Sequence, residues 1–426
     1  MSQSDRSKGK ILFLHLYNRL LAILISDNHI LAMEAYESPE REIGNIYIGK
    51  VENIASNIQA AFVRISPDEL IFLPLQEAPY AYLTNRKSNG TIKAGDELLI
   101  QYAKEPVKTK LAGGSATLSL TGTYVILSQK KKIPVTLQSA AQSDYESSAR
   151  QPSMLFSRKL SEKDKQRFKD SEILQEIIHH YDVIIRTNAG ALDDISRVIT
   201  EAKVLADKLR EIERSADSRI CYSCLYKNGP VYLSFLQNCY QSDYNEIVTD
   251  NKALYEELAM QASILHLTAP VRLYQDTMLP LHKLYSIETR IGELLQKKVW
   301  LKSGAYIVIE QTEALVSIDV NSGKCEHGKK KEETFLKLNL EAAAAIAREL
   351  RARNLAGIIL VDFINLQKKE HKNQLIEEMK RLLLLDSVPA RVVDMTGLGL
   401  MEITRKRINP PVAEQLKGSD PAVQFY

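Results

Sequence analysis

The sequence predicts a multidomain α/β protein, and three patterns carry that expectation. Two short apolar runs rich in β-branched residues end at Asp319 and Asp362, and between them Glu332 to Arg353 is dominated by Ala, Leu, Glu and Arg. Apolar runs too short for an isolated helix read as buried strands, and a helical crossover between them makes the pair parallel. The first hundred residues read differently, as short strands punctuated by Asn, Pro and Gly. A long amphipathic stretch from about Leu192 to Arg214 supplies the third pattern. At 426 residues the length corresponds to about two to four domains.

Taken in order, Lys10 to Ala35 alternates apolar and polar residues around a turn at Asp27-Asn28 and predicts a hairpin. Next come short strands at Gly44–Lys50, Gln59–Val63, Leu70–Pro74 and Leu98–Tyr102, spread over about eighty residues, the size of a small barrel. A barrel of the OB type grips single-stranded nucleic acid by stacking bases on exposed aromatic rings beside cations. Phe62, Phe72, Lys104 and Lys110 could supply both parts, although phenylalanines in such a barrel more often fill its core. Residues 139–160, rich in Ser, Gln and Ala, read as a surface connection. Helical periodicity resumes from Ser161 to Tyr181, a buried strand Val183–Ile185 follows, and Arg186-Thr187 stands at its end. There a guanidinium fork and a hydroxyl could bind a phosphate, with a structural ion pair as the ordinary alternative.

Composition places the chain among globular proteins: 45% hydrophobic, 26% charged, formal net charge +3. No apolar run reaches spanning length and Met1–Lys10 lacks the apolar core of a secretory signal, so a cytoplasmic protein without a membrane span is expected. Four cysteines in a chain of this size make no disulfide framework. Cys221 and Cys224 form a Cys-x-x-Cys inside what reads as a strand, where side chains three apart face opposite ways, so structural cysteines are favoured over a metal site. Cys239 and Cys325 are isolated, the latter near His327. Lysines at 104, 108 and 110, at 130–132 and at 329–331 read first as solvated faces. The last run would flank a polyanion lying across the two aspartates.

Asp319 and Asp362 occupy matching places in the strand-helix-strand unit and can present two anionic ligands at one sheet edge. A hard cation such as Mg²⁺ is held by one or two carboxylates plus water and substrate phosphate, which points to phosphodiester cleavage. Aspartates at strand ends also cap helices and open turns, and spacing alone favours that use. Asn321, two residues beyond Asp319, would share its face in an extended chain and could hold a water or a phosphate oxygen.

The ordered motifs resemble the ribonuclease E/G family along nearly the whole chain, most closely its ribonuclease G branch. The resemblance rests on Gly44–Tyr47, Ala60–Val63, Phe72–Leu75, Ile185–Thr187, Ser317–Ser322, Asn339–Ala342, Arg351–Leu355, Val361–Phe363 and Gly399–Arg407. It implies a ribonuclease H-like fold at 1–36 and 230–294, interrupted by an S1-type OB barrel at 37–117 and a 5′-phosphate sensor region at 118–229. A DNase I-like catalytic region at 295–416 and a tail at 417–426 follow. The implied activity is Mg²⁺-dependent endonucleolytic cleavage of single-stranded RNA, with Mn²⁺ as a substitute, in ribosomal RNA maturation or messenger decay.

Carried over by motif, Asp319 and Asp362 would ligate the metal and Asn321 would assist at the scissile phosphate. In-line attack of an activated water would leave a 5′-phosphate and a 3′-hydroxyl. Phe62, Phe72, Lys104 and Lys110 match the family's RNA-gripping positions, and Arg391 matches a basic residue after the second catalytic strand. Arg186 and Thr187, with backbone or apolar contacts near Gly122 and Ile126, match a 5′-monophosphate pocket.

Three departures accompany these matches. The family's Cys-Pro-x-Cys beyond the Thr-Arg-Lys-Arg segment, through which two protomers share a zinc, has no counterpart after Cys325, so no zinc is expected and a homodimer would form without that link. Asn365 replaces an acidic residue after the second catalytic strand, and Val63–Pro67 lacks the family's glycine turn. The competing readings are a non-catalytic RNA-binding factor that keeps barrel and sensor, and a metal-dependent phosphoesterase for another substrate.

Overall fold

The computed structural model describes residues 8–38, 42–106, 111–129, 154–265, 267–323 and 331–417. The chain divides into two compact units, one formed by residues 1–39 and 232–426 and the other by residues 40–231. The first unit is therefore discontinuous in sequence.

Its opening strands are β1 (Gly9–Leu16), β2 (Arg19–Ser26) and β3 (His29–Tyr36). They form an antiparallel meander with a two-residue turn at each reversal. At both turns the central residues, Tyr17-Asn18 and Asp27-Asn28, have positive φ, the twist that suits a tight hairpin. The expected single hairpin is thus a three-stranded element. The Tyr17 turn escapes sequence reading because tyrosine is a poor turn signal.

In the second unit, β4 (Ile46–Ala55), β5 (Ala60–Ser66), β6 (Glu69–Pro74), β7 (Glu97–Lys104) and β8 (Ala112–Ser115) close into a five-stranded, OB-like barrel. Closure comes from β4 pairing with both β5 and β7. Val51, Ala61, Val63, Ile71, Leu73, Leu98 and Ile100 fill the interior.

A four-stranded sheet follows in the order β11-β12-β10-β9, from β9 (Ser119–Thr121), β10 (Val125–Gln129), β11 (Met154–Phe156) and β12 (Tyr181–Ile185). Residues 154–156 therefore form a strand rather than a connection, residues 157–160 are turn and irregular backbone, and 139–153 lie outside the described residues. The helix expected over 161–181 is two helices, Glu162–Lys169 and Glu172–Ile178. Ser171 accepts from the Leu174 N–H and starts the second helix, an N-cap that periodicity alone overlooks. The long helix Ser196–Ala216 buries Val198, Ala202, Leu205, Leu209 and Ile212, a stripe at helical spacing, in the core shared with this sheet. The unit's last strand, β13 (Cys224–Tyr226), pairs with β4.

The chain then returns to the first unit. There β14 (Tyr244–Thr249) lies parallel to β1, and β15 (Val271–Leu273) extends the sheet to the order β15-β14-β1-β2-β3. A six-stranded sheet completes the unit: β16 (Lys298–Trp300), β17 (Tyr306–Gln311), β18 (Leu315–Asn321), β19 (Gly357–Asp362), β20 (Ala390–Met395) and β21 (Leu400–Arg405). Their order is β16-β17-β18-β19-β21-β20.

The crossover helix Lys331–Ala352 and the helix Lys369–Leu383 pack on one face of that sheet. Ala342, Ala343, Ile346, Leu350, Leu375 and Met379 meet Val316, Ile318, Ile359, Val361, Met401 and Ile403 there. The alternation of buried and accessible residues along β18 and β19 leaves Ser317, Asp319, Asn321, Leu360 and Asp362 on the opposite face.

Candidate active site and nucleic-acid interface

The pairing of β18 with β19 is parallel, and its last register pair is Asp319 with Asp362. Adjacent strands lie about 4.8 Å apart, so the two carboxylates leave the sheet side by side. Both residues are exposed, and neither is ion-paired within the described residues. Asn321 donates from Nδ2 to Asp319 Oδ2 at 2.6 Å, which fixes one carboxylate oxygen and leaves the other for a ligand. Two adjacent carboxylates with an amide beside them suit a hard cation completed by water and phosphate. Among the described residues no group of three or more His, Cys, Asp or Glu that could hold a metal ion comes together.

The loop that carries the chain away from Asp362 is fixed from below. Asn339, fully buried on the crossover helix, donates to the Ile364 carbonyl at 2.7 Å and accepts from the Ile364 N–H at 3.1 Å. Glu332, near the same helix's start, accepts from the N–H groups of Gln367 and Lys368, both at 3.0 Å. These N–H donors hold the Glu332 carboxyl below its usual range, with His371 adding to the effect. Replacing Asn339 by Leu would leave the N–H and carbonyl of half-buried Ile364 without these partners. We expect a loss of about 2–4 kcal/mol of stability, measured by urea unfolding of the variant against the parent protein.

On the barrel, Phe62 and Phe72 are register partners whose rings meet edge to face at 6.5 Å, and both are half-buried on the outer wall. The cross-strand row continues from Phe72 to Gly113 and from Gly113 to Lys104. A Cβ at Gly113 would stand 3.3 Å from the Lys104 Cβ, so the missing side chain keeps the surface between ring and cation low. Two accessible rings and a lysine thus stand in one row, the combination of ring and cation that base stacking beside a phosphate would use. Lys110 lies outside the described residues, as do Lys108, Lys130–132, Lys329–330, Cys325 and His327.

The Arg186 group also comes together. Arg186 follows β12 and donates from Nη1 to the Gly122 carbonyl at 2.5 Å, while Thr187 Oγ1 and Ser157 Oγ lie 2.7 Å apart. Ile126 sits on β10, register partner of Ile184 on β12. A residue absent from the sequence reading occupies the centre. The Glu201 carboxylate accepts from the N–H groups of Thr123, Tyr124 and Val125 at 2.7, 2.7 and 2.9 Å. A Cβ at Gly122 would collide with that carboxylate, which explains the glycine. Burial pushes the Glu201 carboxyl above the ordinary range, against the pull of its three N–H donors and the Arg186 charge. Three converging N–H groups also make an anion cradle of the kind that receives phosphate, and here a carboxylate fills it.

A family model described as the ribonuclease E/G family matches residues 147–408. The chain belongs to the ribonuclease E/G family. Ribonuclease G of Escherichia coli (strain K12) is 28% identical over 391 residues, covering 88% of this chain and 74% of the relative. Ribonuclease E of the same strain is 28% identical over 390 residues, covering 89% of this chain and 35% of the relative. Ribonuclease E of Haemophilus influenzae is 28% identical over 389 residues, covering 89% and 39%. The chain thus spans little more than a third of the length of these two ribonuclease E relatives.

In this ribonuclease E/G chain the remaining sequence candidates fall as follows. Arg391 lies on β20 opposite Thr404, four residues along β21 from Leu400, the partner of Asp362. It is thus about 13 Å along the strand direction from the aspartate row. Glu402, opposite Leu360, shares the aspartates' face; the alternation Leu400, Glu402, Thr404 was its available signal. Cys221 sits in a turn beside Tyr222, whose φ is positive, and only Cys224 belongs to a strand, which corrects the single strand expected for the pair. Both are free thiols, and burial raises the pKa of each. Asn365 is exposed. Among the described residues no helix is long and apolar enough to cross a membrane.

Proposed function

We propose that this chain is a divalent-metal-dependent endoribonuclease that cuts single-stranded RNA and leaves a 5′-phosphate and a 3′-hydroxyl. The observation that carries the reading is the register pairing of Asp319 with Asp362 on an accessible sheet face, with Asn321 bonded to the first. A magnesium ion bound by the pair, with manganese as a substitute, would neutralise charge building on the phosphate and acidify water at the point of cleavage. Asp319 and Asp362 would hold that ion, and Asn321 orients Asp319.

In this reading Phe62, Phe72 and Lys104, with Lys110, grip the RNA on the barrel, and Arg391 meets the strand further along the catalytic sheet. The sheet of β1–β3 with β14 and β15 is the ribonuclease H-like part, at 1–36 and 230–294. Residues 37–117 are the S1-type barrel, 118–229 the 5′-sensing region, 295–416 the DNase I-like region and 417–426 a tail. Action in the cytoplasm on ribosomal or messenger RNA, and a homodimer formed without a shared zinc, belong to the same reading.

The test is incubation with a 5′-monophosphorylated single-stranded RNA, with and without Mg²⁺. Internal cuts that appear only with the metal are expected. Binding without cleavage would replace the reading with that of an RNA-binding factor. Removing both barrel rings, Phe62→Ala with Phe72→Ala, is expected to raise KM at least tenfold with kcat within about threefold, since stacking contributes about 1–3 kcal/mol per base.

The sensing role makes Glu201 a competitor of the incoming phosphate. Glu201→Gln keeps the side-chain shape and removes the repulsion between like charges. The ratio of cleavage rates on 5′-monophosphate against 5′-hydroxyl RNA is expected to rise about tenfold, equivalent to about 1.4 kcal/mol. Because burial raises the Glu201 pKa, mild acidification protonates it before ordinary carboxylates. The parent protein's ratio should therefore also climb as pH falls, and the Gln variant's should stay flat. An unchanged ratio in Glu201→Gln would remove the 122–126 cradle from the phosphate site.

A further inference from the structure

The catalytic sheet has an edge that no motif singles out. Trp300 on β16, 63% exposed, lies opposite Tyr306 on β17, and Tyr306 lies opposite Asn321 on β18. The neighbouring row runs Lys298, Val308, Asp319, Asp362. Residues directly opposite one another point to the same face, so Lys298, Trp300 and Tyr306 share the face of the aspartate pair. With strands about 4.8 Å apart, Tyr306 stands one strand from Asn321 and Trp300 two, roughly 10 Å.

The two rings lie 5.2 Å apart, tilted by 59°. Lys298 Nζ stands 4.0 Å from the Trp300 ring centroid and 3.7 Å from that of Tyr306. A self-contained cation–π cluster would be the simplest account of this group. That account does not explain why a large ring keeps most of its surface in water next to two carboxylates. A strand crossing Asp319 and Asp362 must bring its polyanionic backbone past two negative charges, and Lys298 is the cation in their own row. An accessible ring pair beside that cation offers a flat apolar surface to a base and a charge to the phosphate next to it.

We propose that Trp300 and Tyr306 form a stacking platform for an unpaired nucleobase next to the scissile phosphate, with Lys298 moving from the rings to the adjoining phosphate when RNA binds. The proposal rests on the reading that RNA lies across the aspartate pair. Stacking accepts any base, so the platform sets where the strand is held and not which sequence is cut.

Trp300 is the single tryptophan in the sequence, so its fluorescence reports this site alone. The 426-residue chain carrying Asp319→Asn and Asp362→Asn is titrated with a 5′-monophosphorylated single-stranded oligonucleotide, followed in parallel by anisotropy of a label on the RNA. Emission is expected to fall by about half or more at saturation. An abasic ribose at one position should restore it, while abasic sites elsewhere should not. In the otherwise unaltered protein, Trp300→Ala should raise KM about tenfold with kcat within about threefold, and Trp300→Phe should recover most of the loss.

RNA binding with unchanged emission, quenching insensitive to every abasic position, or emission that varies with protein concentration without RNA would each overturn the platform. Absence of RNA binding would overturn it too. Cleavage by the unaltered protein separates the two ideas. Cutting without a fluorescence response leaves the nuclease and removes the platform, whereas position-dependent quenching without cutting keeps the platform as an RNA-binding surface and removes the nuclease.

Discussion

Asp319→Asn is expected to lower single-turnover RNA cleavage by about 10³-fold or more, equivalent to at least about 4 kcal/mol of transition-state stabilisation. The substituted amide keeps the size of the carboxylate, and its oxygen can still accept from Asn321 Nδ2, so local geometry survives. What is lost is one of two adjacent negative charges. Asp362→Asn should give a similar loss, because a cation held by only two protein carboxylates is released when either becomes neutral. The double variant should be little worse than either single one, as expected of groups that act as a unit. Both residues are exposed, so Tm should move by no more than about 2 °C. Single-turnover cleavage across a Mg²⁺ titration, with a melting curve for each variant, checks all of this. Cleavage within tenfold of the parent at saturating metal would remove the pair from the chemistry.

The largest stability effect is expected at Arg405, 3% exposed at the end of β21. Its Nε donates to Asp386 at 2.7 Å, and its Nη1 donates to the Asn354 side chain at 2.9 Å and to the Leu355 carbonyl at 3.1 Å. Asp386 is also buried and has the Val388 N–H as a further donor. Arg405→Ala strands a carboxylate in the interior and unpairs two further acceptors, so a loss of about 3–5 kcal/mol is expected. For a unit of this size that corresponds to a fall in Tm of about 10 °C. Arg405→Met with Asp386→Leu should recover most of it, since replacing both members of a buried pair by apolar groups leaves no orphaned charge. A Tm change under about 2 °C for Arg405→Ala would show that the network is not held as described. The consequence reaches the candidate site, because β21 pairs with β19 and supports the strand that ends in Asp362.

Asp319, Asp362 and Arg405 differ in how much of their placement is legible in the sequence. The crossover pattern from Asp319 to Asp362 was legible because strand and helix periods differ and parallel strands require a connection of that kind. The barrel strands were legible from their turns, and Phe62 with Phe72 from their motif. Arg405 stood in a motif, yet nothing in its spacing separated an RNA-binding cation from a buried anchor. Its partners Asn354 and Asp386 lie 51 and 19 residues away. Glu201 was invisible for the same reason, lying 76 to 78 residues from the N–H groups it fills.

The sequence by itself determined the strand-helix-strand unit that carries the two aspartates, the short strands of the barrel and the family's motifs, because those properties depend on local period, propensity and turn chemistry. Only the tertiary structure decided which strands became neighbours across long separations. It returned β14 to β1 after more than two hundred residues, put Trp300 and Lys298 on the aspartates' face, and set the Glu201 carboxylate against the N–H groups of Thr123, Tyr124 and Val125. The physical reason is that register and burial arise from packing between distant segments, and a residue's charge or ring acquires a role only when its neighbours are fixed.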